Sequence, residues 1–417
     1  MSLLNDASLL LTPNAYKATK LYSIIPTNGN GDFTVTRATT ATRINSAGLI
    51  ETVGNNIPRL DYSLGSCPNI LLEPQRTNLA LRSEQLDNAP WTIVQSTVTP
   101  NTTISPDGTL NADTLTANGT SSNNRLNQNI SLLVSTTYTY TIYAKKDTND
   151  FIQLYGNSTI VGSNFWANFD LNNGVVGTVG SATTASIQSV GNGWYRCIMA
   201  MTGTTVLAGN SSTFVIQLTT SASALRAQTN SLTTSVFLWG AQLELGSYAT
   251  SYIPTLVSSV TRNLDQISRN NIFTNGLITA SGGTWFIELR GNIPVTRDLS
   301  TSGIFLNTGV SSTIGNGFVL RNPGSISSRI GIFTVVAGGL SANLHTIATD
   351  NAKVAFKWNG TIADVFVNGV KVVAATPFTP TAMENLIGEG SNRAIQVNLM
   401  ALYSTPLTDT QCIALTT

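Results

Sequence analysis

Short runs in which every second residue is apolar dominate the chain. A period of two predicts strands, because successive side chains of an extended backbone point to opposite faces. Asp32-Phe33-Thr34-Val35-Thr36-Arg37 is an early example. Thr137-Tyr138-Thr139-Tyr140-Thr141-Ile142-Tyr143-Ala144 is another, with its tyrosines expected on one face. Further strands are predicted over 151–155, 165–171, 194–199, 214–218, 236–243 and 284–289. The strongest hairpin signals come late. The pairs Asn359-Gly360 and Asn368-Gly369 separate alternating runs at 353–358, 363–367 and 370–373, and Asn-Gly is the pair that most readily enters the left-handed turn of a tight hairpin. Residues 55–75, broken by Pro58, Pro68 and Pro74, read as extended and irregular. The one helix expected is a short tail capped by Thr408 and Asp409 and carrying Cys412, Ile413 and Leu415.

The runs group into three segments. Residues 1–82 form a β-rich anchoring segment, 83–255 a jelly roll of about eight strands, and 256–417 a second β-sandwich, with a Ser/Thr-rich linker around Pro254. The expected fold class is therefore all-β. Composition agrees: charged residues make up 10% of the 417, against roughly 25% in an average soluble protein. Ser, Thr, Asn and Gly take their place, and these are poor helix formers.

A net charge of +1 leaves no basic surplus for phosphate backbones or anionic bilayers, so neither nucleic-acid binding nor membrane insertion is expected. Cys67, Cys197 and Cys412 lie far apart without zinc spacing and read as three buried thiols. No secretory signal is evident near the start, which points to folding in a reducing cytoplasm.

Candidate chemistry is sparse. Glu244 and Glu288 are isolated, Glu73 has Arg76 nearby, and the Glu-x-Asp-x-x-Glu motif of laminarinase-type glycosidases is missing. His345, the one histidine, has no triad around it. The chain is read as non-enzymatic, with no catalytic residues and no required cofactor. Calcium, which rigidifies many jelly rolls, has Asp107, Asp113 and Asp170 as candidate ligands. Aromatic faces can stack on sugar rings, and the candidate glycan-binding residues are Trp166, Tyr155, Trp194 and Trp285, whereas Trp239 and Trp358 read as core. Arg37, Arg43, Arg59, Asp61, Glu73 and Arg76 concentrate charge in a charge-poor chain. They suit either contacts between subunits and docking on a particle, or internal pairing that fixes irregular backbone.

Three stretches carry a family resemblance. The first holds Arg37-Ala38-Thr39-Thr40-Ala41-Thr42-Arg43, Pro58-Arg59-Leu60-Asp61-Tyr62 and Leu71-Leu72-Glu73-Pro74-Gln75-Arg76-Thr77-Asn78, and resembles the N-terminal region of tailed-bacteriophage structural proteins. The second, Gly193-Trp194-Tyr195-Arg196 with Trp239-Gly240-Ala241-Gln242-Leu243-Glu244 and Ala249-Thr250-Ser251-Tyr252-Ile253-Pro254-Thr255, is similar to a phage head-spike-fibre domain, a carbohydrate-binding-module-like jelly roll. The third, with Val354-Ala355-Phe356-Lys357-Trp358-Asn359-Gly360 and Ala401-Leu402-Tyr403-Ser404-Thr405-Pro406-Leu407, looks like a concanavalin-A-like, laminin-G-type lectin sandwich. The resemblance implies a structural protein of the virion surface, a head fibre, spike or decoration. It also implies homotrimers, other capsid or tail proteins as partners, and host-surface glycans as ligands. The alternatives are a tail fibre or receptor-binding protein, a polysaccharide-degrading spike enzyme, and a capsid cement protein without ligand.

Overall fold

The computed structural model describes residues 3–17, 20–133, 136–156, 161–162, 164–201, 211–290, 303–308, 316–321, 330–336, 339–340, 344–347, 349, 351–378, 382–390 and 394–417. Strands account for nearly all of its regular structure, as the period-two runs predict. The chain divides into two compact units. Unit 1 takes 1–46, 53–75 and 263–417, and unit 2 takes 47–52 and 76–262.

Three consecutive segments were expected, and the structure corrects the first of them. Residues of the opening segment share the core of unit 1 with the C-terminal part of the chain. Leu9–Leu11 and Asn69–Leu72 both pair with Ile395–Tyr403, Arg59–Asp61 extends that sheet beyond Asn69–Leu72, and Thr34–Thr36 pairs with Gln266–Arg269 in the other. The stretch read as irregular because of its prolines thus contains two buried strands, Arg59–Asp61 and Asn69–Leu72. The reason is that Pro58, Pro68 and Pro74 fall outside both strands, where a missing N–H costs no ladder bond.

Among the described residues, unit 1 is built on two eight-stranded antiparallel sheets, with a small two-stranded one from Tyr16–Lys17 and Lys20–Leu21. Its core is aromatic: Trp285 stacks on Phe356 with centroids 4.9 Å apart, and Phe318 packs against Phe356, Trp358 and Phe378. The two Asn-Gly turns form as expected, with Gly360, Asn368 and Gly369 all in the left-handed region. The tail helix, Asp409–Thr416, starts on a capping box: the Thr408 side chain accepts from the Gln411 backbone, and the Gln411 side chain returns the bond.

Unit 2 has two six-stranded antiparallel sheets. One, the front sheet, runs in the order Thr92–Val94, Arg125–Ser131, Ser211–Leu218, Phe151–Gly156, Trp166–Asp170, Val175–Val179. The other, the back sheet, runs Ser96–Ile104, Leu110–Ala117, Ser235–Leu245, Tyr138–Lys146, Trp194–Met201, Thr183–Ser189. Alternate residues such as Leu126, Ile152, Leu154, Phe169, Phe214 and Ile216 enter a shared core with Tyr140, Cys197, Met199 and Leu238. Tyr138 and Tyr140 point into this core, while Tyr143 lies on the opposite face beside Trp239, so the tyrosines do not share one face. Their odd spacing, 138–140–143, places the third out of phase.

Candidate functional site

Four of the six charged residues singled out as attachment contacts, Arg37, Arg59, Asp61 and Glu73, are internal. Asp265 lies between Arg37 and Arg59: Arg37 Nη1 donates to its Oδ1 at 2.9 Å, and Arg59 Nη2 donates to its Oδ2. Arg59 Nη1 also donates to Glu73 Oε2 at 2.7 Å, and the Glu73 amide donates to Asp265 at 2.9 Å. Arg37 further donates to the carbonyls of Thr39, Gly54 and Ile57. Asp61 accepts from the amides of Ile44 and Ser63. All five side chains are buried. Burial lowers the pKa of the Arg59 guanidinium, but Asp265 and Glu73 more than offset this, and the net shift is upward. Arg76 lies 3.8 Å from Glu244 and under Tyr248, and Arg43 is half-buried. The docking reading therefore fails for Arg37, Arg59, Asp61 and Glu73, which have no surface to offer. They hold irregular backbone in place.

The second set of motif residues converges in the same way, on the outer face of the back sheet. Asn78 donates to the carbonyls of Ala241 and Ile253 and accepts from Leu243 and Ala80. Fully buried Glu244 accepts from Gln242 Nε2, from the Thr250 amide at 2.8 Å and from the Thr250 hydroxyl at 2.6 Å. Tyr252 packs on Trp239 with centroids 4.6 Å apart and donates to Glu84. The Trp-Gly-Ala-Gln-Leu-Glu strand and the Ala-Thr-Ser-Tyr-Ile-Pro-Thr return segment thus form a latch. Its function is architectural.

The outer face of the front sheet is different. Gln217, Gln153 and Asn168 are cross-strand neighbours in one row, all fully buried. Gln153 Nε2 donates to the Leu225 carbonyl and its Oε1 accepts from the Ala227 amide. Asn168 Nδ2 donates to the carbonyls of Ala222 and Ala224, and Gln217 Nε2 to that of Gln228. This amide row pins the segment 222–228 onto the sheet. Pinning sets Arg226: its guanidinium lies 4.9 Å from the centroid of Tyr155, and Nη2 donates to the Gly156 carbonyl at 2.5 Å. Tyr155 is the direct cross-strand partner of Trp166. Trp166 is half-buried, and Leu225 is 72% exposed. The Tyr155 hydroxyl and Arg226 Nε are covered and have no hydrogen-bond partner.

The structure therefore brings two of the four glycan-binding candidates together, the half-buried Trp166 and the buried Tyr155, which is 5% exposed, and removes the other two. Trp285 is fully buried in the core of unit 1. Trp194 is 1% exposed, with its indole N–H donating to the Ile104 carbonyl at 2.9 Å. Strand parity gives the face of a side chain but not what covers that face, which is why Trp194 is misread from sequence. Arg226, Gln153 and Asp265 were not singled out by sequence, because their partners lie far away along the chain.

The candidate calcium ligands serve separate local structures. Asp107 accepts from Thr109 and Ser105, Asp113 from the amides of Leu86 and Asn101, and Asp170 from those of Asn172 and Asn173. Among the described residues, no group of three or more His, Cys, Asp or Glu side chains is placed to hold a metal ion. Burial, aided by Asp87, raises the Asp113 carboxyl to about 6 against the opposing bonds from Asn101 and Leu86. Cys197 and Cys412 are buried, but Cys67 is exposed, contrary to the expectation of three buried thiols. Among the described residues, no helix is long and apolar enough to cross a membrane.

No protein-family profile matches the chain, and no curated relative matches it. Among solved structures it is similar to domain 4 of AbnA, a GH43 extracellular arabinanase from Geobacillus stearothermophilus, in complex with arabinotriose. That likeness is at 15% identity and TM-score 0.29, over 41% of this chain and 84% of that one. The N-terminal CBM22-1–CBM22-2 tandem domain of Paenibacillus barcinonensis Xyn10C is similar at 10% identity and TM-score 0.25, over 79% and 97%. Trypanosoma rangeli sialidase in complex with sialic acid is similar at 9% identity and TM-score 0.25, over 73% of this chain and 60% of that one. These scores are too low to carry a ligand or an activity across, and the functional reading rests on the chain's own residues.

Proposed function

We propose that this chain is a non-catalytic structural protein of a bacteriophage particle, a head fibre, spike or decoration, that meets host-surface glycan through the Trp166–Tyr155 face of unit 2. One observation carries the glycan part: the cross-strand pair of Tyr155 and Trp166 faces away from the core, beside an arginine held in place by a buried amide row. An indole face offers apolar contact to the C–H face of a pyranose, and a guanidinium offers hydrogen bonds to its hydroxyls. The virion part is supported by the motif resemblance of the sequence. The non-catalytic part is supported by the surroundings of the carboxylates considered: Glu73 pairs with Arg59, Glu244 bonds Gln242 and Thr250, and Glu288 pairs with Arg290. Weak single contacts become firm attachment when copies are linked, as in a homotrimer.

Glycan-array binding by the intact chain, lost in Trp166→Ala, is the expected result. An array blank at every sugar removes the glycan role and leaves a cement protein. Steady release of reducing ends from host polysaccharide replaces this reading with the spike-enzyme alternative. Immunogold labelling of purified particles is expected to place the chain on the virion surface, and its absence from particles overturns that location.

A further inference from the structure

Resting on the glycan reading above, we infer that the sugar taken at the Trp166–Tyr155 face is anionic, a carboxylate-bearing glycan of the uronate or sialate type. In a chain where 10% of residues are charged, most described arginines of unit 1 and the latch have partners of opposite charge or several carbonyls. Arg226 does not. Its contacts are the Gly156 carbonyl and the Tyr155 ring, and no acidic side chain pairs with it among the described residues. Its Nε hydrogen has no acceptor. Arg125, on the same sheet, donates to Asn127 and likewise has no ion-pair partner among the described residues.

Position strengthens the point. The sheet residues around Arg226 are neutral: Gln153, Asn168, Gln217, Val215, Tyr155 and Trp166. The nearest acid on the strand of Trp166 is Asp170, and its oxygens are occupied by the amides of Asn172 and Asn173 and by Asn173 Nδ2. Among the described residues, no carboxylate balances the charge of Arg226 on this face. Four hydrogen bonds with Gln153 and Asn168 fix the segment that carries it. A guanidinium laid on a phenol ring is restrained in orientation, and its planar fork matches a carboxylate better than a hydroxyl.

The test compares acidic polymers with their own neutral forms. Polygalacturonate, alginate and polysialic acid are each titrated into the full chain by calorimetry, alongside carboxyl-reduced samples of the same polymers. At least one acidic polymer is expected to bind about tenfold more tightly than its reduced form, the ratio one charge-assisted hydrogen bond gives, and the preference is expected to shrink with added salt. Arg226→Gln is expected to abolish the preference while leaving the thermal melt unchanged, and Arg226→Lys to restore part of it. Equal binding of acidic and reduced polymers overturns the anionic assignment but leaves the glycan reading standing. Absence of binding to every polymer in both forms, together with a blank neutral array, overturns both. The wild-type comparison needs no variant, so a misfolded Arg226→Gln does not rescue the inference.

Discussion

Arg37 and Asp265, 228 positions apart in sequence, meet at 2.9 Å in the core of unit 1 with neither side chain more than 3% exposed. Arg59 shares the same carboxylate from the other side. Two cations thus depend on one acid, with Glu73 completing a neutral set. Removing one partner of a buried ion pair strands the other without water, at a cost of roughly 3–5 kcal/mol. Asp265→Asn is therefore expected to lower stability by about that much in urea unfolding. Because the group is buried, the loss is expected to be the same in low and in high salt. A loss below about 1 kcal/mol, the scale of an exposed pair, would show that the cluster is solvated.

Gly240 is the second point of sensitivity. The register between Tyr138–Lys146 and Ser235–Leu245 slips so that Thr141 faces Gln242 but Tyr143 faces Trp239, a β-bulge. Gly240 sits in it with φ +66, and a Cβ there would lie 2.8 Å from Tyr143 Cδ2. Gly240→Ala meets both a left-handed backbone penalty and a clash with a ring clamped by Trp239 and Tyr252. A destabilisation of about 1–3 kcal/mol is expected, read as a fall in melting temperature. An unchanged melt would refute the bulge.

Asp113 gives a pH dependence. Its carboxyl stands at about 6 in the folded chain against an ordinary value of 3.8. The unfolded chain therefore loses this proton first, and stability is expected to fall as pH rises from about 4 to about 6, then level off. Asp113→Asn is expected to flatten that slope. It also loses one of the two amide bonds from Leu86 and Asn101, so it is about 1 kcal/mol weaker at neutral pH. Melting curves of both proteins across pH 4–7 check this, and parallel slopes would count against it.

Trp166 and Trp285 form a matched contrast. Trp166→Ala is expected to abolish glycan binding with a small change in stability, because the ring is half-buried on a sheet face. Trp285→Ala empties a site stacked on Phe356 and is expected to cost about 3–5 kcal/mol, with glycan binding retained wherever the chain still folds. Loss of binding in the second variant at a temperature where it is folded would contradict the site assignment.

Sequence reading reaches the strands that alternate cleanly, such as Phe151–Gly156 and Trp166–Asp170, and the two Asn-Gly hairpins. It also singles out Trp166, since Phe165 and Phe169 define the buried parity and the indole falls on the other. It misses Ser96–Ile104, where exposed threonines and a proline leave almost no apolar period to detect. It gives no hint of Arg226, whose placement depends on Gln153 and Asn168, ordinary polar residues until the 222–228 segment lies over them. It leaves the pairing of Arg37 and Arg59 open, because Asp265 belongs to a distant strand and no local pattern marks it.

The discontinuous make-up of unit 1 has a consequence for synthesis. Leu9 pairs with Leu402, so the first strand leaves the ribosome long before its neighbour is made. At roughly 5–20 residues per second that delay is on the order of tens of seconds. During it, Leu9–Leu11 and Asn69–Leu72 lack the strand they border, while every residue of 76–262 has already emerged. Translation order thus favours early maturation of the inserted unit 2, and leaves Leu9–Leu11 and Asn69–Leu72 in need of shielding from self-association until Ile395–Tyr403 has been made.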